Sequence, residues 1–412
     1  MAQNIPEIVA PAGSKECFTA ALNAGADACY AGVSGFNMRA GADRFEPSDI
    51  HKMVSLAHDN GVKLYFALNV LVYDEDFDEI RAALDVCAHT GVDAVILWDM
   101  AVLDLAKERG LAVHLSTQAS VANSLAIRWY ETQGVKRIVL ARELSLDQLG
   151  KTIAAAKESG SGMKFECFVH GAMCVALSGR CLTSQFLYGR SANRGDCIQP
   201  CRRSYRITDE HNGFELAFDS HTVLSARDLC TIDIIDRITD AGIDAFKIEG
   251  RMRDPLYVKT TVECYREARD AVLSGSYDQK MAGELKRRLE RVFHRGFSTG
   301  FYLRPPDDDF AGEEGNVAVV TRQYAGKVGN YYPKAGAADI RLEARHLNRG
   351  ETVLITGPTT GAVEFTADSL RSEDNQPVMS ASAGSLIGLE TPEKVREGDR
   401  LYVLVLREQT EE

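Results

Sequence analysis

The sequence predicts an α/β protein: a TIM-like (β/α)8 barrel with a cysteine-rich insertion after its seventh strand, followed by a small all-β barrel domain. Three observations carry this. Short apolar runs alternate strictly with amphipathic helical stretches through the first 300 residues. Eight such units can be counted. Beyond Gly300 the pattern turns to short alternating runs split by Gly, Pro and Asn.

The series opens near Glu7 with EIVAPAG, followed by the helical SKECFTAALNAG. Further strands are expected to begin near Ala28, Lys63, Ala94, Ala112, Arg137 and Lys164. The eighth is AFKIEGRM at 245–252, followed by the helix PLYVKTTVECYREARDAVLSG. These strands are apolar on both sides, as parallel strands covered by helices must be. The helices between them end at Gly25, Gly61, Gly91, Gly110, Gly134 and Gly160, the residue type that most readily closes a helix. APAGSKEC lacks the G-x-G-x-x-G spacing of a dinucleotide-binding turn, so an open Rossmann sheet fits less well. The barrel is therefore expected over residues 1–300, with its insertion over about 171–244, a far longer connection than is usual between strand and helix. Residues 301–314, rich in Pro, Asp and Gly, are expected to link it to a β domain at 315–412.

Composition narrows the function. Hydrophobic residues make up 45% and charged residues 26%, as in ordinary globular proteins, and no run of eighteen apolar residues is present to span a membrane. MAQNIPEIVAPAGSKEC lacks a basic segment followed by an apolar one, so a cytoplasmic location with reduced thiols is expected. The net charge of -12 does not suggest a nucleic-acid binder, but the distribution matters more than the sum. Arg180, Arg190, Arg194, Arg202, Arg203 and Arg206 gather around the cysteine-rich stretch against a single acid, Asp196. This is either a solvated basic loop or an anion-binding rim.

Four of the ten cysteines lie in CVALSGRCLTSQFLYGRSANRGDCIQPC: Cys174, Cys181, Cys197 and Cys201. After the seventh strand they fall at the end of the barrel where active sites are built. A reducing compartment disfavours disulfides, and the gaps of six, fifteen and three residues lack the close pairs of structural zinc. The compact triple-cysteine motif of radical-SAM enzymes fails because Ser204 stands where its third cysteine would be. An iron–sulfur cluster tolerates scattered ligands and would gain from the neighbouring arginines. Spacing alone leaves a cluster, a zinc ion and a metal-free loop open. Cys230, in SARDLCTID, could complete a four-thiolate set in place of Cys201. Cys17, Cys29, Cys87, Cys167 and Cys264 lie in apolar patterns and read as core.

Among polar residues near predicted strand ends, His114 and His170 are candidates for acid–base work or donor binding, against the commoner alternative of satisfied core histidines. Strand alternation puts Lys247, Glu249 and Arg251 on one side, where they could grip a carboxylate-bearing donor or close an internal salt bridge. No H-E-x-x-H or G-x-S-x-G motif supports a protease, although a thiol–imidazole pair such as Cys174 with His170 is conceivable.

ECFVHGAMCVALSGRCLTSQ, NRGDCIQPCRRSY and ARDLCTIDIIDRITDAGIDAFKIEGRMR resemble the collagenase-like peptidase family U-32, as does the opening VAPAGSKECFTAALNAGADACYAG. The resemblance covers essentially the whole chain. It implies either peptidase activity or oxygen-independent hydroxylation: of tRNA wobble uridine to 5-hydroxyuridine, of rRNA cytidine, or of a quinone precursor. Hydroxylating members carry a 4Fe–4S cluster, and prephenate is implicated as the hydroxyl source for RNA. Carried over by motif, the ligands are Cys174, Cys181, Cys197 and Cys230, with Cys201 as the alternative. The appended β domain favours the RNA branch, so tRNA and a small hydroxyl donor are the expected partners, with the β domain helping to hold the RNA.

Overall fold

The computed structural model describes residues 5–32, 36–38, 45–203, 207–208, 215–216, 224–306, 309–312 and 315–407. Arg206 of the basic stretch and Ser204 lie outside them. Seven parallel strands follow in order: β1 (Glu7–Pro11), β2 (Ala28–Gly32), β3 (Lys63–Leu68), β4 (Ala94–Leu97), β5 (Val113–Leu115), β6 (Arg137–Val139) and β7 (Lys164–Gly171). The insertion contributes a short antiparallel pair, β8 (Ile207–Thr208) and β9 (Glu215–Leu216), and then β10 (Asp228–Cys230), antiparallel to the end of β7. The eighth barrel strand is β11 (Ala245–Ile248), parallel to β7 on one side and to β1 on the other, which closes the barrel. A two-residue β12 (Phe297–Ser298) extends the sheet beside β10.

Helices α1 (Lys15–Asn23), α2 (Pro47–Asp59), α3 (Phe77–Thr90), α4 (Met100–Glu108), α5 (Ser124–Thr132) and α6 (Leu146–Glu158) return the chain between successive strands. Short α7 (Thr183–Tyr188) sits in the insertion, α8 (Ile235–Asp240) leads into β11, and α9 (Pro255–Ser274) and α10 (Gln279–Leu289) complete the outer layer. Side-chain caps start many of these helices: Ser14 accepts from Cys17, Asn123 from Ala126, and Asp254 from Leu256 and Tyr257 just before Pro255. The six glycines expected to end helices all have positive φ. No helix among the described residues is long and apolar enough to cross a membrane.

The main core lies between strands and helices, where Ile8, Leu64, Phe66, Val95, Phe165 and Phe246 are fully buried. The barrel interior is different. It holds a small apolar layer of Val9, Ala28, Tyr30, Tyr65, Ala67 and Ile96, and an ion network near the N-terminal ends of the strands. There Arg137 binds Glu7 at 2.6 Å and Glu166 at 3.3 Å, while Lys247 reaches Glu166 at 2.7 Å. Burial and the Arg137 guanidinium act in opposite directions on Glu7, and its carboxyl ends below the usual range.

The stretch between barrel and β domain packs on the barrel. Tyr302 donates to the Phe168 carbonyl at 2.8 Å, and the Ala311 amide to Ser225 at 2.6 Å. The β domain is antiparallel, with β13 (Val320–Tyr332), β14 (Ala337–Leu342), β15 (Leu347–Asn348), β16 (Thr352–Gly357), β17 (Gly361–Thr366), β18 (Arg371–Ser372), β19 (Ser380–Ala381), β20 (Leu386–Glu390) and β21 (Arg400–Leu406). Seven of these form one sheet, ordered β17-β16-β21-β13-β14-β20-β18, and β15 pairs with β19. The β16–β17 turn seats on α1, where Thr19 donates to the Pro358 carbonyl at 2.7 Å. Gly361 (φ 73) permits this approach, because a Cβ there would lie 2.8 Å from the Ala20 nitrogen.

Candidate functional site

Strand β7 leaves the barrel at Gly171 (φ 107), where a Cβ would stand 2.2 Å from the Glu249 carbonyl oxygen. Only glycine allows β7 to pass β11 so closely and carry the chain across the mouth. Arg142 lies 3.7 Å over the Phe168 ring and donates to the Ala172 carbonyl at 3.0 Å, fixing the first step of that crossing. Arg202 then draws the insertion shut. Its guanidinium donates to the Ser225 hydroxyl at 2.9 Å and to the carbonyls of Ala226 and Met173, so one side chain ties the beginning of the insertion to its end.

Beneath this roof lies a cavity of about 160 Å³. Tyr30, Ile96, Val139 and Phe168 make its apolar wall, and Asn69, Ser116 and Gln118 a polar one. Lys247, Glu249, Arg251, Arg142 and Arg202 also line it, giving four cationic side chains and one carboxylate. Cys174, Cys181, Cys197 and Cys201 complete the lining.

The insertion holds each thiol in place by local bonds. The Cys174 sulfur accepts from the Ala176 amide at 3.5 Å, and that of Cys181 from the Thr183 amide at 3.4 Å. Ser184 donates its hydroxyl toward the Cys197 sulfur at 3.9 Å. Asn193 accepts from the Cys181 amide, and Glu143 grips Ser178 through both its amide and its hydroxyl. Ser178 (φ 48) and Gln199 (φ 56) hold left-handed backbone conformations next to the thiols, the kind of local strain that recurs at ligand clamps. Burial pushes the Cys201 thiol up, Arg202 pulls it down, and Cys174, Cys197 and Cys181 push it up again. Among the described residues no three Cys, His, Asp or Glu side chains converge closely enough to chelate one ion. The four thiols line one shared space instead.

One of the expected ligands stands apart from these thiols. Cys230, carried over as the fourth ligand, is buried beside Tyr265 at 3.8 Å, with its thiol pushed up to about 11 by burial, and it does not line the cavity. The reason is pleat: Cys230 pairs with His170 across β10 and β7, and both side chains face α9. Cys201 lines the cavity with Cys174, Cys181 and Cys197. Neither His114 nor His170 lines it. His170 packs between the rings of Tyr257, Tyr265 and Phe297, so it makes no pair with Cys174. His114 lies edge-on to Tyr65 inside the barrel, held neutral by burial and by Arg137 and Lys247. Lys247, Glu249 and Arg251 all line the cavity, Lys247 from β11 and the other two from the turn that follows it. Lys247 pairs with Glu166 rather than with Glu249, while Arg251 donates to Asn37 at 3.0 Å. Glu166 and Arg202 were not singled out as site residues. Alternation in KFECFVHG could have placed Glu166 inside the barrel, whereas nothing in CRR marks Arg202 as a clamp.

The buried imidazole gives a testable pH dependence. Burial, aided by His294 and Arg253, lowers the His170 pKa from 6.5 to about 3. The unfolded chain therefore takes up a proton below about pH 6.5 that the folded chain refuses. The stabilising contribution is complete above that pH and is lost as the pH falls toward 3, at up to about 1.4 kcal/mol per unit. The urea midpoint should drop between pH 7 and pH 5, and His170→Phe should flatten that drop. A wild-type midpoint that does not move over this interval would refute the assignment.

Residues 13–311 match the profile of peptidase family U32. The chain belongs to this family. Among its relatives in peptidase family U32 is a protein of Porphyromonas gingivalis named a collagenase, 40% identical over 410 residues, covering 98% of this chain and 99% of that one. The tRNA hydroxylation protein P1 of Bacillus subtilis is 32% identical over 385 residues, 91% of this chain and 89% of that one. A 23S rRNA 5-hydroxycytidine synthase of Escherichia coli is 35% identical over 309 residues, 74% of this chain and 46% of its own length.

Proposed function

We propose that this chain is an RNA-modifying enzyme, an oxygen-independent hydroxylase that converts tRNA wobble uridine to 5-hydroxyuridine. The observation that carries the reading is the meeting of four thiols and a cationic wall in one cavity at the C-terminal mouth of the barrel. Cys174, Cys181, Cys197 and Cys201 would hold a 4Fe–4S cluster. When bound, the cluster would supply Lewis-acid or one-electron chemistry at the cavity roof.

The chain's own residues would do the rest. Lys247, Arg251 and Arg142 would bind a small donor bearing carboxylates, for which prephenate is the candidate. Glu249, near the Tyr30 hydroxyl at 3.5 Å, is placed to orient a donor hydroxyl or to take its proton. An RNA strand would present one unstacked base through the mouth, as enzymes that work on bases commonly require.

The relatives named for tRNA hydroxylation and for rRNA hydroxycytidine synthesis support RNA as the substrate class. The relative named a collagenase supports the peptidase alternative, but among the described residues no imidazole lines the cavity beside its thiols. Nucleoside mass spectrometry of tRNA from a strain lacking this protein should show 5-hydroxyuridine lost, with the precursor uridine in its place. Unchanged 5-hydroxyuridine would refute the reading, and a deficit of rRNA 5-hydroxycytidine instead would move the substrate to rRNA.

A further inference from the structure

The cysteine-rich insertion exposes an unusual amount of apolar surface. Leu177, Leu182, Phe186 and Leu187 are 56%, 55%, 82% and 56% exposed, and Tyr188 is 43% exposed. Phe186 and its neighbours stand on or beside α7, whose other residues Thr183 and Ser184 line the cavity. The patch is thus the outer rim of the mouth. A solvated loop does not gather so many large apolar side chains, and a contiguous patch rimmed by charge marks a binding surface.

We propose that this rim is the platform on which single-stranded RNA lies while one base enters the cavity, an inference that rests on the RNA reading above. Charge selects the occupant. Residues 174–203 hold five arginines and one acid, within a chain of net charge -12. Arg190 is neutralised by Asp196 at 2.6 Å, Arg194 pairs with Asp76, and Arg202 is occupied as the clamp. Arg180 and Arg203 differ: both are exposed and bind hydroxyls, of Ser120 at 3.1 Å and of Tyr188 at 2.7 Å, which leave their charge for phosphates. Arg203 also lies 4.9 Å over the Tyr188 ring. Exposed aromatic rings beside guanidinium groups form the surface on which unpaired bases stack, with little dependence on sequence. The β domain, expected to help hold RNA, has no such bias, with eleven basic and eleven acidic residues between 315 and 407.

Fluorescence anisotropy of the full chain with a short labelled oligouridine tests the platform. Phe186→Ala should weaken binding about 10-fold, as expected for one lost stack. The double variant Arg180→Ala, Arg203→Ala should weaken it and lower the slope of log affinity against log salt by about 1.4. All three side chains are exposed, so melting temperatures should stay at the wild-type value. Variants that bind as tightly as wild type overturn the platform and leave the RNA reading standing. So does a wild-type chain that ignores oligouridine although its deletion strain loses 5-hydroxyuridine. If the wild type ignores RNA and the deletion strain keeps its modified nucleosides, the RNA reading itself fails and the platform with it. If Phe186→Asp converts a dimer to monomers in sedimentation without altering RNA binding, the face joins two copies of the chain and the proposal is wrong.

Discussion

Cys201→Ala is expected to strip anaerobically prepared protein of most of its iron and sulfide, whereas Cys230→Ala should retain both. The contrast comes from where the two sulfurs stand. Cys201 shares the cavity wall with Cys174, Cys181 and Cys197, close enough for their charges to act on one another. Cys230 sits outside the cavity, fully buried and hydrogen-bonded by a tyrosine, where burial holds the thiol protonated. Losing one of four thiolates leaves a cluster open at one iron, while losing a small buried thiol costs only packing. Iron and sulfide content together with the visible charge-transfer band read the outcome without reference to activity. Iron lost from Cys230→Ala and kept in Cys201→Ala would reverse the ligand set. A wild-type chain without iron would sink the cluster.

Glu166→Gln is expected to destabilise the barrel by about 3–5 kcal/mol, read from the urea or guanidinium midpoint. Glu166 is 1% exposed and is the one carboxylate shared by Arg137 and Lys247, both buried inside the barrel. Arg137 keeps Glu7, but Lys247 loses its ion pair and is left facing the Tyr30 ring at 4.5 Å. Burial already lowers the Lys247 pKa, so this ammonium can shed its proton when the carboxylate goes. That response places the loss toward the lower end of the range. A midpoint unchanged from wild type would mean the network does not hold the barrel together.

The fold could be read because its signals are local. Apolar runs of strand length, helices closed by glycine, and a count of eight units need only neighbours in sequence, and the strands were found within a residue or so of Glu7, Lys63, Arg137 and Lys164. Lys247, Glu249 and Arg251, grouped by alternation, all line the cavity, although β11 ends at Ile248. The side on which Cys230 stands was not readable, because β10 runs antiparallel to the extended end of β7, a pairing that no local pattern announces. His170 stands in the same surroundings: beyond the barrel, β7 turns that face toward α9. Which cysteine lines the cavity depends on which loop closes on which. Arg202 sets that closure through Met173, 29 residues back, and Ala226, 24 residues forward.

That clamp has a bearing on how the proposed cluster would be loaded. Every bond that shapes the nest runs between protein groups: Arg202 to Met173 and Ala226, Asn193 to Cys181, Glu143 to Ser178. A zinc finger spends much of its metal affinity on folding itself. Here the bonds among the protein groups themselves hold the thiols around the cavity, so a metal group bound there would not have to fold the chain about itself. The proposed cluster would then be lost and rebuilt while the barrel beneath it stays folded.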